Sequence, residues 1–295
     1  MRNDSYQTKL EEYARLTEKA LEEKTTWGAC RQRQVLDAIR YSLLGGGKRL
    51  RAAMVLEFGR LCGAPVPAAL DLACAVEMVH AYSLIHDDLP CMDNDDYRRG
   101  KPSCHKKFGE STALLAGDGL LTLAFETIFS SRVLTSQQKN DAAGILAQAS
   151  GIFGMIGGQV IDLESEGQKI DMDALNTLYA LKTGALLRCA ALLGCIAGAP
   201  EPEFLEASQI YARKCGLAFQ ITDDILDVMG EEEKLGKPIG SDRENKKTTY
   251  VTLLGLEGAK QSARQQIEQA KESVKEFEEN GFLLWVADMI LTRDH

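Results

Sequence analysis

Apolar residues recur at intervals of three and four along almost the whole chain, and Gly and Pro separate the apolar segments. This spacing places apolar side chains on one face of an α-helix, whereas alternating runs typical of strands are hard to find. The pattern predicts an all-α fold. The predicted helices cover residues 6–24, 36–44, 50–63, 71–88, 111–129, 136–151, 154–164, 173–198, 202–229, 248–254, 257–278 and 282–293.

No composition shift, repeat or flexible linker divides the 295 residues, so the economical prediction is one domain, 1–295. The 34 basic and 43 acidic residues give a net charge of −9, which disfavours nucleic acid as a partner. The eight cysteines form no C-x-x-C pair and most have apolar neighbours, which indicates buried thiols in a reducing cytoplasm. No secretory signal is apparent, which agrees with that location.

The most apolar run, residues 184–200, is interrupted by Arg188. It is shorter than the roughly 20 residues that a membrane-spanning helix needs. The sequence therefore predicts no stable membrane insertion.

Five carboxylates crowd into the ten residues 87–96, at the end of the predicted helix 71–88. Mutual repulsion and hard oxygen ligands favour Mg²⁺, and Arg98 and Arg99, which follow, suit an anion. Asp87 and Asp93 are six residues apart, so a continuous helix would splay them by about 120°. Both reach one metal only if Pro90 breaks the helix between them. The alternative is an acidic, solvated helix end.

A second acidic group lies in the predicted helix 202–229. Asp223 and Asp227 are one turn apart and face the same way, and basic residues follow this group too. Brought together on facing helices, the two acidic groups could hold several Mg²⁺ ions around a diphosphate, while cations neutralise its other oxygens.

The stretch 45–51, GGGKRLR, lacks the strand, the early Gly and the Ser or Thr of a P-loop. It does place three cations at a predicted helix N-terminus, which favours an anion. The alternative is a glycine C-cap followed by solvated cations. His80 lies seven residues before Asp87 and therefore on the same helix face, where it could contact a phosphate or be a hydrogen-bonded core residue.

These motifs together carry a resemblance that covers nearly the whole chain. In order they are GGKRLR (46–51), DDLPCMD (87–93), RRG (98–100), GQVIDL (158–163), KTG (182–184), QITDDILD (220–227), GK (236–237) and KTTY (247–250). The chain resembles the trans-isoprenyl diphosphate synthases, specifically the bacterial short-chain farnesyl diphosphate synthase type.

The resemblance implies a single large helical bundle of the isoprenoid synthase type with a central active-site cavity. It also implies three Mg²⁺ ions on an allylic diphosphate and a homodimer. The implied metal ligands are Asp87, Asp88, Asp93, Asp223, Asp224 and Asp227, whereas Asp95 and Asp96 lie outside the motif.

The substrates implied are isopentenyl diphosphate and allylic diphosphates. The implied contacts to isopentenyl diphosphate are Lys48, Arg51, His80 and Arg99, and those to the allylic diphosphate are Arg98, Lys182, Lys237 and Lys247. Thr183 and Gln220 oxygens would steady the allylic cation once the C–O bond ionises, before the isopentenyl double bond attacks it. Gln159, Asp162 and Tyr250 are expected in supporting roles.

Product length is predicted from the residues before the first acidic motif. In the family a bulky residue five positions upstream stops chain growth; here it is Tyr82, with Ser83 beside it, which favours (2E,6E)-farnesyl diphosphate. However, the two extra residues within the motif also occur in geranylgeranyl synthases. Ala52 stands where the family usually has Pro, which is expected to loosen that helix start.

Three alternatives remain open. The first is a geranylgeranyl diphosphate synthase. A class I terpene cyclase is less favoured, because its second metal motif usually mixes other residue types and it needs no isopentenyl site. The third, from a different class, is a non-catalytic regulatory subunit or cation-binding helical protein, although such a subunit would be expected to have lost some of these aspartates.

Overall fold

The computed structural model describes residues 2–229 and 247–293, and within these ranges helices dominate. The predicted all-α class is confirmed, since 76% of the structure is helical. The helices are α1 (Arg2–Lys24), α2 (Arg33–Leu43), α3 (Leu50–Leu61), α4 (Val66–Asp87), α5 (Cys104–Phe108), α6 (Glu110–Ser130), α7 (Ser136–Ser150), α8 (Met155–Glu164), α9 (Met172–Tyr179), α10 (Ala185–Ala197), α11 (Pro202–Met229), α12 (Tyr250–Val274) and α13 (Gly281–Thr292). A two-stranded antiparallel hairpin pairs β1 (Tyr97–Arg98) with β2 (Lys101–Pro102).

Most predicted helices are confirmed, and the differences have local causes. The predicted start of α4 at residue 71 is wrong, because the helix begins at Val66. Pro67 lies in its first turn, where no backbone N–H is needed for an intrahelical bond. The predicted helix 173–198 is interrupted by one π-helical turn, Ala180–Gly184. Gly255, at φ +70°, kinks α12 where the sequence predicts a break between two helices.

The described residues fall into two compact units. Unit 1 comprises Met1–Gly144 and Leu193–Ala199, and unit 2 comprises Ile145–Leu192 and Pro200–His295. The prediction of a single domain stays a prediction. In unit 1 the consecutive residues 52–59 of α3 are all buried. Close packing needs small residues, because a Cβ on Gly194 would lie 2.5 Å from the carbonyl oxygen of Val55.

In unit 2 helix α11 packs along α12 around a buried apolar cluster that includes Leu175, Ile221 and Ala263. A Cβ added to Gly216 on α11 would lie 3.1 Å from the Cα atom of Gly184. Helix α11 therefore approaches the π turn closely. This places the π turn and the acidic stretch of α11 next to each other within one unit.

The cysteines are more mixed than the sequence predicted. Cys74, Cys104, Cys189, Cys195 and Cys215 are buried, but Cys30 and Cys91 are exposed. Cys30 precedes α2 and Cys91 follows α4, so both lie in connecting segments rather than on apolar helix faces.

Among the described residues, four helical stretches are long and apolar enough to cross a membrane by length and composition alone. One of them, Met172–Ala197, extends the apolar run that the sequence argument judged too short. In α4 the burial of 72% of the most apolar window inside the protein accounts for its composition without a membrane. The absence of membrane insertion stays a prediction.

Candidate active site

The chain reverses immediately after α4. The helix ends at Asp87, and the N–H of Asp93 donates back to the carbonyl oxygen of Asp87 at 2.9 Å. Asn94 adopts a left-handed φ of +53°, which allows the turn to close. The predicted break between Asp87 and Asp93 is therefore confirmed, and it brings the two residues together.

Asp88 differs from its neighbours because it is 2% exposed and is bound by Arg98. Arg98 donates from Nε at 2.7 Å to Asp88 Oδ1 and approaches the same oxygen with a second guanidinium nitrogen at 2.6 Å. Burial raises the pKa of Asp88, while the Arg98 charge opposes that rise. The role of Asp88 as a metal ligand stays a prediction, and in this structure Arg98 already binds it.

The β1–β2 hairpin holds the two arginines at defined positions. Its turn residues Arg99 and Gly100 both have positive φ, +53° and +72°, as a type I′ turn requires. The Arg99 guanidinium donates to the carbonyl oxygen of Gly46 and lies against Gly47, where a Cβ would be 2.9 Å from it. Gly47 therefore has to be glycine for Arg99 to reach this position.

His80 is surrounded by arginines. Burial, followed by the charges of Arg51, Arg99, Arg49 and Arg98, lowers the pKa of His80 well below its ordinary value. His80 is therefore neutral at pH 7, and a cavity of about 50 Å³ lies beside it.

Two donors in this group are left unsatisfied. Arg49 Nε and Arg51 Nε are both buried with no hydrogen-bond partner among the described residues. A buried donor without an acceptor is costly, and an anion would satisfy it. The arginines around His80, here called the His80 cluster, thus have the charge of an anion site.

Glu77 of α4 is a buried carboxylate that partly balances the His80 cluster. It is 2% exposed and binds Arg49 at 3.3 Å, and it accepts the backbone N–H of Ala52 at 3.2 Å. A proline at position 52 could not donate this hydrogen bond. Glu77 accepts the N–H that proline would lack, and the expectation that Ala52 loosens the start of α3 stays a prediction.

Tyr82, the predicted floor of the product pocket, is 5% exposed in α4. Its ring meets His86 edge to face, with centroids 5.6 Å apart, and its hydroxyl has no hydrogen-bond partner within the described residues. Burial, and then the charge of Asp87, raise the pKa of Tyr82 to about 12. His86 in turn packs against Gly117 of α6, where an added Cβ would lie 2.1 Å from His86 Nε2.

In unit 2 the π turn presents Lys182 to a buried carboxylate. Asp162 accepts Lys182 Nζ at 2.6 Å and Lys247 Nζ at 3.0 Å. Burial alone would raise the pKa of Asp162, but the two lysines hold it below its ordinary value. Lys247 Nζ also lies 4.0 Å from Glu166 Oε1. Two neighbouring ammonium groups are donors that suit a diphosphate. The supporting role predicted for Asp162 fits these contacts.

Thr183 and Gln220 meet directly. Thr183 Oγ1 donates to Gln220 Oε1 at 2.7 Å, across the close approach of the π turn and α11. Single π turns occur frequently at functional sites. The two oxygens that the sequence argument paired are therefore adjacent in the structure.

Asp224 lies in the core rather than at a surface. It is 4% exposed, Tyr179 donates to both its oxygens at 2.8 Å, and the backbone N–H of Tyr250 donates at 2.8 Å. These hydrogen bonds give Asp224 a structural role, which joins the end of α9, α11 and the start of α12. Its role as a metal ligand stays a prediction.

Asp223 is 2.7 Å from the guanidinium of Arg293, which also lies over the Phe219 ring at 3.6 Å. Burial lowers the pKa of Arg293, and the Asp223 charge opposes that shift. Asp227 is buried, at 3% exposed. Sequence reasoning missed Arg293, because an isolated arginine outside every motif gives no signal of its partner.

The remaining predicted residues are an exposed lysine, two residues with identified partners and one residue outside the described part of the chain. Lys48 is exposed before α3, and Ser83 donates to the carbonyl oxygen of His80 at 2.9 Å. Outside the acidic motif, as predicted, Asp96 binds Lys106 at 2.7 Å. Lys237 lies outside the described residues.

The acidic residues meet the requirements of Mg²⁺ only together with a substrate. Across residues 2–229 and 247–293, no three Asp, Glu, His or Cys side chains converge as a ready set of ligands. Mg²⁺ usually keeps several waters and binds through one or two carboxylates plus substrate phosphates. Asp87 and Asp93 supply such a carboxylate pair, so the residues fit a metal that arrives with its diphosphate.

Comparison with known proteins agrees with these motifs. A family model described as polyprenyl synthetase matches residues 32–282. The chain is 46% identical over 259 residues to a farnesyl diphosphate synthase of Bacillus subtilis (strain 168), covering 86% of this chain and 87% of that protein. It is also 43% identical over 270 residues to a geranylgeranyl diphosphate synthase of Cyanophora paradoxa, covering 88% of each.

A solved structure matches over nearly the whole chain. The apo crystal structure of an FPP/GFPP synthase from Zymomonas mobilis superposes with a TM-score of 0.88 at 36% identity. The match covers 98% of this chain and 100% of that one. The sequence matches and the structural match thus both point to prenyl diphosphate synthases.

Proposed function

The chain belongs to the polyprenyl synthetase family, and on that premise we propose that it condenses isopentenyl diphosphate with dimethylallyl and geranyl diphosphate to give farnesyl diphosphate. It is a prenyltransferase, as its relatives are. The observation that carries the proposal is the His80 cluster, whose buried Arg51 Nε lacks a partner within the described residues. An isopentenyl site is what distinguishes a condensing synthase from a cyclase, which needs no second diphosphate.

The two substrates would bind to different cations. Arg51, Arg99 and His80 would bind the isopentenyl diphosphate; neutral His80 can donate one hydrogen bond without adding charge. Lys182 and Lys247, which Asp162 holds side by side and of which Lys247 also lies near Glu166, would bind the allylic diphosphate. Two ammonium groups placed in this way would stabilise the charge that develops on a departing diphosphate.

Mg²⁺, with Asp87 and Asp93 of unit 1 as its carboxylate pair, would supply further positive charge to the diphosphate. The family resemblance suggests three ions. Ionisation of the allylic C–O bond sends the electron pair to diphosphate. The adjacent Thr183 and Gln220 oxygens would then face the allylic cation.

The closing steps balance within the two substrates. The π electrons of the isopentenyl double bond form the new C–C bond to the allylic cation, which moves the positive charge onto the isopentenyl part. Loss of a proton from that part to the departed diphosphate restores a double bond. No oxidant, reductant or cofactor electron is required.

Farnesyl diphosphate is the proposed product because Tyr82 is buried and braced by His86. A braced aromatic ring makes a firmer floor than a mobile one. The geranylgeranyl alternative is retained, because relatives of similar identity carry that name. We also propose a cytoplasmic homodimer, on the family resemblance and the cysteine content.

The proposal is tested by incubating the purified chain with Mg²⁺, dimethylallyl diphosphate and labelled isopentenyl diphosphate and measuring product length. The expected result is a C15 product. A C20 product would replace the farnesyl assignment alone. No condensation by folded protein would contradict the enzyme assignment and favour the non-catalytic subunit.

A further inference from the structure

Unit 2 contains a cavity of about 370 Å³, here called the α10–α11 cavity. Its walls come from α7, the π turn, α10 and α11, and Gln266 of α12 also lines it. The volume lies within the roughly 300–1,000 Å³ typical of small-molecule sites. Leu181 and Gly184 line it whereas the intervening Lys182 and Thr183 do not, so it lies beside the proposed catalytic residues rather than among them.

One side of the α10–α11 cavity is apolar. Ala149, Phe153, Leu192 and Leu217 contribute to it together with Leu181. Phe153 is 82% exposed, which is unusual for so large an apolar side chain and leaves its ring available to a ligand. This wall suits a flexible hydrocarbon chain.

The polar side of the cavity is cationic on a chain whose net charge is −9. Arg188, Arg213 and Lys214 line it, and none of them forms an ion pair with a described residue. Burial, and then the neighbouring charge of Arg213, lower the pKa of Lys214. An anionic group would relieve their mutual repulsion.

Gln266 adds an unsatisfied polar atom. Its buried side-chain oxygen has no hydrogen-bond partner in the part of the chain that the structure describes. An amide can turn to present either its oxygen or its NH₂ group, so it can accept from a hydroxyl or donate to an anion. A buried amide of this kind is satisfied by a ligand or by water.

We propose that the α10–α11 cavity binds an aliphatic chain that carries one anionic head group. The chain lies against Phe153, Leu181 and Leu217, and the head group binds Arg188 and Arg213. Neither the head group nor the chain is expected to bind tightly alone. The cations are partly solvated, so a small anion gains little binding free energy, and a neutral chain leaves the cations uncompensated. The ligand is defined by this chemistry, an aliphatic phosphate or carboxylate.

The probe is dodecyl phosphate, titrated calorimetrically into the full-length protein below the concentration at which it forms micelles. We expect saturable binding of one molecule per chain. Inorganic phosphate and dodecanol should each bind at least tenfold more weakly, and dodecanoate should bind comparably to dodecyl phosphate. Equal binding of dodecanol, or an isotherm that does not saturate, would overturn the proposal.

Variants locate the bound molecule. The double variant Arg188→Glu, Arg213→Glu should weaken binding at least tenfold, and Leu217→Trp, which fills the apolar side, should do the same. Arg132→Glu, a matched charge reversal at an exposed site in unit 1, should leave it unchanged. Circular dichroism would establish that each variant is folded.

Lys182→Ala separates the cavity from the proposed substrate site, which could itself hold an aliphatic phosphate. Binding should survive Lys182→Ala. If it is lost there and retained in the Arg188→Glu, Arg213→Glu variant, the molecule lies in the substrate site and the α10–α11 cavity is not a binding site. The measurement does not involve turnover, so it does not depend on the proposed enzyme function.

Discussion

Replacing Tyr82 by alanine should lengthen the product. The substitution deletes a phenol ring, which is slightly larger than one isoprene unit, from a position that is 5% exposed. Truncation of buried aromatic residues costs about 3–5 kcal/mol of folding stability. The edge-to-face contact with His86 accounts for about 0.5–1.5 kcal/mol of this loss. The space opened should admit one further condensation, which gives a C20 product.

Tyr82→Phe is the matched control. It keeps the ring and removes a hydroxyl that has no hydrogen-bond partner within the described residues. Burial of such a group costs about 1–3 kcal/mol, so its removal should leave stability unchanged or slightly raised. The product should remain C15.

The assay combines mass spectrometry of the reaction products with urea unfolding of each variant. A Tyr82→Ala protein that loses about 3–5 kcal/mol yet still makes C15 alone would refute the reasoning, because a cavity would exist without extending the product. A longer product from Tyr82→Phe would show that the hydroxyl, and not the ring, limits growth.

Three further predictions follow from single contacts. Gly117→Ala places a Cβ 2.1 Å from His86 Nε2 and should cost about 1–3 kcal/mol of stability in urea unfolding. The control Gly144→Ala, where the added Cβ has no atom within 4 Å, should stabilise the protein by about 0.5–1 kcal/mol. Equal effects of the two substitutions would contradict the close contact. Asp162→Asn should raise the KM for the allylic substrate about tenfold in steady-state kinetics, because Lys182 and Lys247 lose the carboxylate charge that positions them. A rise confined to the KM for isopentenyl diphosphate would contradict this prediction. The pKa of His80 is depressed in the folded state, so the unfolded chain binds a proton on this residue more readily. The free energy of unfolding should therefore fall as pH drops below about 6.5, by at most roughly 1.4 kcal/mol per pH unit. His80→Gln should reduce that slope in unfolding measured from pH 7 to 5, and an unchanged slope would assign the pH dependence to other groups.

The backbone turn at the first acidic motif could be predicted from the sequence. The six-residue spacing of Asp87 and Asp93 is incompatible with a shared helix face, and Pro90 lies between them. Gly255 likewise indicated the kink in α12. These features are local, because the residues that cause them are neighbours in the chain.

The partners of individual carboxylates could not be predicted, because they come from distant parts of the chain. Asp224 matches the second acidic motif as well as Asp223 does, and only the fold shows that Tyr179 and the N–H of Tyr250 already bind it. Gly117 is one of many glycines until the position of His86 is known. The sequence identifies candidate metal ligands. Tertiary contacts decide which of these carboxylates are already hydrogen-bonded by other groups of the protein.

The π turn could not be predicted from the sequence for a similar reason. Residues 173–198 have a continuous helical pattern, and the single extra residue in the turn leaves that pattern almost unchanged. The insertion is visible in the structure because it brings Thr183 to Gln220 and Lys182 to Asp162 at once. A regular helix would rotate Lys182 and Thr183 away from one of these partners.

The central claim is that this chain joins two diphosphate substrates with release of one diphosphate per bond formed. It is tested most directly by measuring diphosphate released against labelled isopentenyl diphosphate incorporated, with Mg²⁺ and dimethylallyl diphosphate present. The account predicts a ratio of one to one and no release when either substrate is omitted. Release of diphosphate from dimethylallyl diphosphate alone, with no incorporation, would contradict it.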